Sequence, residues 1–476
     1  SEVTGRGRAV SRSATGVRAR SVMSGTVTAG MHRSYAGRRR AAYSLRVRNP
    51  FARLRLAFDD PFQNADVRLL FGAQGISSLG SQVSHIAFPL IAIDVIQASN
   101  GSIALLELAF LLPFVLLGLP AGALLDRRTR RPVLIATDFA RMGLLLVVPI
   151  AFAIGALSMP LLLAVLFLIG ACTLLYDVAH QSYLPALLRG PQLGVANGRL
   201  MAMESATGVA GPALAGIAVA RLSGPIALVV DAFSFLVSAL MVQRVRHVEE
   251  VPTFTEQEVE ERSLWREMRE GLAWVVQHPH LRGNALAALI FNFFGGLASG
   301  PLLIAYARRE LALPTELIGF VIGAGTVGIV VGTIINAKVV KWLGMGRTLI
   351  LGGFILPVMP LGFALLDRSM GVPLIAALAI LTQFIAFFGA GLFHVNQVTY
   401  RQLITPARLL GRMNASMKTV MLLGLPLGAL IGSVIAENFG LRTTLFVGAA
   451  GIILGPLPLL TSGIARVHAQ PDHTER

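Results

Sequence analysis

Residues 122–132, GALLDRRTRRP, separate two long apolar segments of the chain. Five of these eleven residues are charged, four arginines and one aspartate. So many charges in so short a stretch are costly in the hydrocarbon of a bilayer. The stretch therefore predicts a short polar connection between two hydrophobic helices at a membrane surface, and the arginines would hold that connection on the cytoplasmic side.

The composition of the whole chain favours a membrane protein. Of its 476 residues, 54% are hydrophobic and 14% are charged, whereas soluble domains carry about 25% charged residues. The single cysteine, Cys172, cannot form a disulfide within the chain, and no Cys/His cluster indicates a metal. We expect an all-α polytopic membrane protein that needs no metal and no other cofactor.

The net charge of +16 is concentrated near the start of the chain, where residues 1–57 hold thirteen arginines and one acid. This location argues against nucleic acid as a partner. Residues 1–65 are predicted to be a disordered Arg-rich tail. Three interpretations stay open: attraction to anionic lipid headgroups, a targeting peptide, or no evolved role, with Met23 or Met31 as the real start.

Apolar stretches long enough to cross a bilayer recur twelve times along the chain. They fall into six spans within residues 66–243, a polar linker at 244–283 with an amphipathic helix, six spans within 284–465, and a tail at 466–476. The expected spans are 67–96, 102–125, 132–155, 159–186, 195–221, 224–243, 284–307, 315–340, 347–366, 371–400, 409–436 and 441–464.

The short loops give an expected orientation. With the N-terminus inside, the inside loops hold eleven Arg and Lys residues and the outside loops hold five. Positive loops stay cytoplasmic, so both termini are predicted to be cytoplasmic.

The two halves also repeat weakly. At an offset of 217 residues, Tyr183 matches Tyr400 and Asn197 matches Asn414. Internal repeats of this kind are typical of transporters whose substrate site lies between the halves.

The opening stretch resembles the loop motif G-x-L-x-D-R-x-G-R-R of the major facilitator superfamily, with Thr129 where glycine is usual. The resemblance implies two pseudo-symmetric six-helix bundles and a breakable cytoplasmic latch, in which Asp126 would face the start of the eleventh helix near Arg408 and Arg412. Anchoring of the topology alone is the alternative. The predicted latch residues are Gly122, Asp126, Arg127, Arg130 and Arg131.

A narrower resemblance covers residues 176–188 (YDVAHQSYLPALL), 195–216 (VANGRLMAMESATGVAGPALAG), 231–240 (DAFSFLVSAL) and 271–282 (GLAWVVQHPHLR). These stretches are similar to the branch that holds enterobactin-type siderophore exporters and macrolide efflux proteins. That branch favours an acid where this chain has Ser81. The resemblance implies a monomeric efflux protein of the bacterial cell membrane.

Polar residues at helical spacing within the spans predict a water-accessible path. In this superfamily the first, fourth, seventh and tenth helices line the cavity, and those helices carry the polar stripes. Hydrogen bonding between helices is the alternative explanation. The predicted path residues are Gln74, Ser78, Ser81, Gln82, His85, Asp177, His180, Gln181, Asn292, His394 and Gln397.

Proton coupling requires an ionisable group within the membrane. We expect it at Asp177, Glu107 or Asp138, although Asp138 and Arg141 are three residues apart and could instead form a structural pair. Glu204 and Asp231 are further acids within the spans.

The sequence therefore predicts a secondary active transporter, not an enzyme, that exports an amphipathic drug or siderophore in exchange for protons. Metabolite uptake is one alternative. A non-transporting receptor or scaffold that uses its tail or linker is another.

Overall fold

The protein is described by a computed structural model that covers residues 60–126, 129–188, 191–247, 249, 264–406 and 409–466. The predicted Arg-rich tail, except Asp60 and the next few residues, and most of the linker lie outside these residues. All regular structure within the described ranges is helical, with twelve helices long and apolar enough to cross a membrane. The predicted all-α, twelve-helix fold is confirmed.

The first six membrane-crossing helices lie within Ala65–Gln243. They are α1 (Ala65–Leu90, continued by a π-helix at Ile91–Val95), α2 (Asn100–Asp126), α3 (Arg130–Ala153), α4 (Met159–Leu187), α5 (Pro191–Leu222) and α6 (Gly224–Gln243).

The second six follow a linker helix at Leu264–Gln277. They are α7 (Pro279–Ala298 and Gly300–Ala305, continued by a π-helix at Tyr306–Glu310), α8 (Thr315–Leu343), α9 (Met345–Ile355 and Val358–Leu365), α10 (Val372–Leu403), α11 (Leu410–Phe439) and α12 (Leu441–Leu454 and Leu457–Thr461).

Helix boundaries follow local chemistry. Asn64 caps α1 by accepting a hydrogen bond from the Asp66 N–H at 2.9 Å. Gly440 joins α11 to α12 as a one-residue connection, and its φ of +84° requires a residue without a Cβ. Helix α7 begins at Pro279, earlier than the expected residue 284, because proline fits the first turn of a helix.

The linker helix packs against the start of α11. Glu270 pairs with Arg412, and the main chain at Gly271 lies close to Arg412 and to the hydroxyl of Ser416. One part of the linker is thus fixed to the second half of the chain. Whether this helix also lies on the membrane surface stays a prediction.

The two six-helix bundles meet mainly through α2 with α11 and α5 with α8, and the short second part of α7 also packs against α1 and α2. Small residues allow the α5–α8 crossing. The main chain of α8 at Gly319 lies directly against the carbonyl of Pro212, and the Cα of Gly319 would be 3.1 Å from a Cβ added at Gly216. Backbones this close leave no room for a side chain, so glycine sets the distance between the bundles.

We predict that Gly319→Ala lowers the thermal unfolding midpoint of the detergent-purified protein. The added Cβ would overlap the Pro212 carbonyl, and overpacking of this kind costs about 1–3 kcal/mol. Gly143→Ala in α3 is the matched control, because a Cβ there meets nothing within 4 Å. An equal effect of the two substitutions would contradict the proposed role of the crossing.

Candidate functional site

A cavity of about 500 Å³ lies between the two bundles. Its walls come from α1–α6 on one side and from α7–α10 on the other. The aromatic lining residues are Phe88, Phe110, Phe235 and Phe387. The ionisable ones are His85, Glu107, Arg141 and Asp231. Apolar walls with a few polar groups are typical of a small-molecule site.

Arg141 is neutralised inside the first bundle. Its guanidinium lies 2.5 Å from the Asp138 carboxylate and stacks over the rings of Tyr176 and Phe235, at 4.4 and 4.2 Å from their centroids. Ser238 donates a further hydrogen bond to Asp138 at 2.7 Å. These contacts of a fully buried carboxylate join α3 to α6.

Asp231 in α6 is 1% exposed and has a partner for each carboxylate oxygen. Ser84 in α1 donates to one oxygen, and Ser234 donates to the other at 3.0 Å. The hydrogen bond between Ser84 and Asp231 joins α1 to α6 at the wall of the cavity. Sequence reasoning noted Asp231 but could not rank it, because Ser84 is 147 residues away.

At the end of the bundles that carries the α1–α2 connection, here called the closed end, the two halves are joined by hydrogen bonds. Arg308 pairs with Asp94 at 3.2 Å. Arg309 donates to the Asn100 side chain and to the Ala98 carbonyl, each at 2.6 Å.

A carboxylate from α11 adds to this closed end. Glu437 accepts a hydrogen bond from the Gly101 N–H at 2.8 Å. Gly101 lies in the first turn of α2, where a negative charge is favourable because the N–H groups there have no partner within the helix.

Asp94, Arg308 and Arg309 belong to two similar turns. Helices α1 and α7 both end in a π-helix, and the two π-helices start 215 residues apart. Each is followed by a non-glycine residue with positive φ, Gln97 at +56° and Ala312 at +53°. The N–H of the next residue, Ala98 in the first turn and Leu313 in the second, donates to the carbonyl of Ala92 at 2.8 Å and of Ala307 at 2.9 Å. The repeat predicted from sequence is therefore visible in detail here.

Arg442 of α12 supports the second of these turns. It donates to the Tyr306 hydroxyl at 3.1 Å and to the Leu366 carbonyl at 2.9 Å. It also lies 3.4 Å from Asp367. Hydrogen bonds from Ser369, together with Arg442, hold the pKa of the Asp367 carboxyl below its usual value.

Comparison with known proteins now identifies the family. A family model described as a transmembrane secretion effector matches residues 57–474. The chain belongs to this family of major facilitator superfamily transporters. The predicted resemblance is confirmed, and the protein is a membrane transporter.

Two relatives are efflux proteins by name. The chain is 27% identical over 414 residues to the multidrug efflux pump Tap of Mycolicibacterium fortuitum, covering 84% of this chain and 94% of Tap. It is 22% identical over 383 residues to macrolide efflux protein A of Streptococcus pyogenes, covering 78% and 90%.

A solved structure shares the fold. A bacterial homologue of the iron transporter ferroportin in an inward-facing state matches with a TM-score of 0.67 at 18% identity, covering 83% of this chain and 98% of that one. A bacterial ferroportin homologue in an outward-facing state matches with a TM-score of 0.52. Both comparisons show the same fold.

The polar stripe predicted for α1 divides into two parts. Ser81, Gln82 and His85 line the cavity. Gln74 and Ser78 are half-buried and lie nearer the end that carries the linker, here called the linker end.

The other predicted path residues are spread over both bundles. Gln181 and His394 are exposed, Asp177 is half-buried, and none of the three lines the cavity. His180 and Gln397 are buried in their own bundles and do not line the cavity in this conformation.

Asn292 is also held within its own helix, where it donates to the Ala288 carbonyl at 2.8 Å. Helical spacing alone could not separate these inward-facing side chains from the cavity-lining ones.

Two of the predicted latch residues have partners at the end of α6 and at the start of the linker. The N–H groups of Arg130 and Arg131 donate to Glu249 at 2.5 and 3.1 Å. The Arg131 guanidinium donates to the carbonyls of Val242 and Gln243. These contacts hold the start of α3 to the end of α6 and to Glu249 just beyond it.

The structure describes the remaining latch residues only in part, and Arg408, an expected neighbour of Asp126, lies outside the described residues. The same applies to all of Arg127 and to the side chain of Asp126. The predicted contact of Asp126 with α11 stays a prediction, and in this conformation Arg412 is paired with Glu270 of the linker helix. Gly122 lies in α2.

We predict that Arg309→Ala makes the cavity accessible from the closed end. It removes two hydrogen bonds to a charged group, each worth about 1.5–3 kcal/mol. The reporter is Ile322→Cys, a cavity residue, in a Cys172→Ala background. Labelling by an impermeant maleimide applied to the closed-end face should rise about tenfold or more, since 1.4 kcal/mol is a factor of ten.

Arg368→Ala is the control, since it removes the same charge from an exposed residue at the same end. Its labelling rate should match that of the parent. If Arg309→Ala also leaves the rate unchanged, these bonds do not keep the closed end shut.

Proposed function

We propose that this transporter exports an amphipathic small molecule, a drug or a siderophore, in exchange for protons by alternating access. The observation that carries this proposal is the cavity between the bundles, which has aromatic and ionisable walls and has bonded helix ends at the closed end. A site between two bundles can open to either face when the bundles rock against each other.

Export is favoured over uptake by the relatives. Both Tap and macrolide efflux protein A are named for efflux, and each aligns over most of its length. Metabolite uptake remains the second transport hypothesis. We place the protein in a bacterial cell membrane as a monomer, and the loop charges favour an orientation with both termini cytoplasmic.

Asp177 is the carboxylate that we propose for proton coupling. It is half-buried in α4 and interacts electrostatically with Arg141 of α3, Lys418 of α11 and Glu204 of α5. Lys418 belongs to the other bundle, so movement of the bundles changes the charge that Asp177 faces. Asp138 is a weaker candidate because Arg141 and Ser238 already bind its carboxylate.

We expect inside-out vesicles without ATP to accumulate a macrolide or a catecholate siderophore when an acid-inside pH gradient is imposed. Asp177→Asn should abolish accumulation driven by the gradient but retain exchange of labelled for unlabelled substrate, because exchange needs no net proton movement. Uptake of radiolabelled compound, with the gradient on and off, measures both.

Asp367→Asn serves as the matched control, since Asp367 is an exposed carboxylate in a loop. Accumulation independent of the gradient would refute proton coupling. A transporter that moves neither compound, but whose activity depends on its tail or linker, would favour the receptor or scaffold hypothesis.

A further inference from the structure

Helix α7 is interrupted beside the cavity. Its first part ends at Ala298, Ser299 is extended, and Gly300 has a φ of +58°. The sequence dictates this break, because Pro301 has no N–H to continue the helix and glycine readily adopts a positive φ. Ser299, Gly300 and Pro301 all line the cavity, so main-chain groups of the break face it.

Glu107 of α2 lies directly against this break. Its Oε2 atom would be 3.0 Å from a Cβ added at Gly300. Glu107 belongs to the first bundle and Gly300 to the second, so the carboxylate lies where the two bundles meet at the cavity wall.

Glu107 differs from the other charged groups of the cavity. Among the described residues, no side chain donates a hydrogen bond to it or forms an ion pair with it. Arg141 is already paired with Asp138, and Asp231 is already bonded to two serines. A half-buried carboxylate without a protein partner has interactions left for a ligand.

The surroundings of Glu107 indicate the chemistry of that ligand. Phe110 follows three residues later on the same face of α2, and it also lines the cavity. A carboxylate beside an aromatic ring suits an organic cation, through a charge-assisted hydrogen bond and a cation–π contact.

A metal ion fits this site less well. No group of three or more His, Cys, Asp or Glu side chains that could hold a metal occurs among the described residues. The ionisable groups that face the cavity besides Glu107 are His85 of α1, Arg141 of α3 and Asp231 of α6, and Arg141 is not free to bind an anion.

We propose that Glu107, with Phe110 and the interrupted main chain at Ser299 and Gly300, binds the ammonium group of an amphipathic substrate. This inference rests on the proposed function and narrows it to protonated amines rather than catecholate anions. The aliphatic and aromatic walls of the cavity would hold the apolar part of the same molecule.

The test measures binding of two probes to the purified full chain. One is a dansyl-alkylammonium, and the other is its N-acetylated, uncharged analogue of similar shape. Wild type should bind the ammonium about tenfold or more tightly than the neutral compound. Glu107→Gln should abolish this preference and leave the Kd for the neutral compound nearly unchanged, and Glu107→Asp should restore part of it.

Gly300→Ala provides a second variant, because its Cβ would displace the Glu107 carboxylate and is strained at that φ. It should also weaken ammonium binding selectively. Asp367→Asn should keep the wild-type preference. The proposal is overturned if wild type shows no preference for the ammonium, or if Glu107→Gln retains it.

Transport assays in vesicles keep this inference separate from the proposed function. If Glu107→Gln accumulates the neutral probe under a pH gradient but not the ammonium, both the proposed transport function and the Glu107 site are supported. If wild type accumulates both probes and Glu107→Gln still prefers the ammonium, transport stands and the Glu107 site is refuted. Selective binding by wild type without any accumulation would leave the site standing and refute transport.

Discussion

Main-chain N–H and C=O groups cannot be left unpaired against lipid, and the architecture of this transporter follows from that constraint. Irregular main chain is placed where protein or a water-accessible space can satisfy it. The break in α7 faces the cavity, and the π-helices of α1 and α7 lie at the helix ends. The unpaired N–H of Gly101 at the start of α2 is satisfied by Glu437 from the other bundle.

The second part of α7 links the cavity to the closed end. Helix α7 carries its break at Ser299 and its π-helix at Tyr306–Glu310, with the short helix Gly300–Ala305 between them. This segment is buried apart from its first residue. A displacement at the cavity wall would therefore be carried by one short rigid element to Arg308 and Arg309, which bond to the opposite bundle.

The sequence predicts the fold well because membrane-crossing helices have a strong local signal. Twenty apolar residues bounded by turn residues suffice to place each span within a few residues. It also predicts Ser81, Gln82 and His85 as cavity residues, because one helical stripe gathers them. The sequence could not distinguish the buried Gln397 from the exposed His394. Both are polar residues on the same face of α10, and the packing of the neighbouring helices determines which of them is buried.

Other features have no signature in one sequence. The bond between Ser84 and Asp231, and those of Arg309 to the first bundle, depend on residues far apart in the chain. π-Helices and positive φ at Gln97 or Ala312 are likewise invisible to periodicity. Glu107 was recognisable as an acid without a basic neighbour in the sequence, whereas its position against the α7 break required the packed structure.

The paired π-turns have a consequence for the origin of the chain. At the offset of 215 residues that relates the turns, Asp94 in the first half corresponds to Arg309 in the second. Because Arg308 pairs with Asp94, two copies of the second half would bring Arg308 of one copy against the arginine that stands in the place of Asp94, whereas two copies of the first half would offer Asp94 no arginine, since Ile93 corresponds to Arg308. A chain of two identical halves would therefore lack this ion pair, which favours contact of each half with the other half over contact with a second copy of itself.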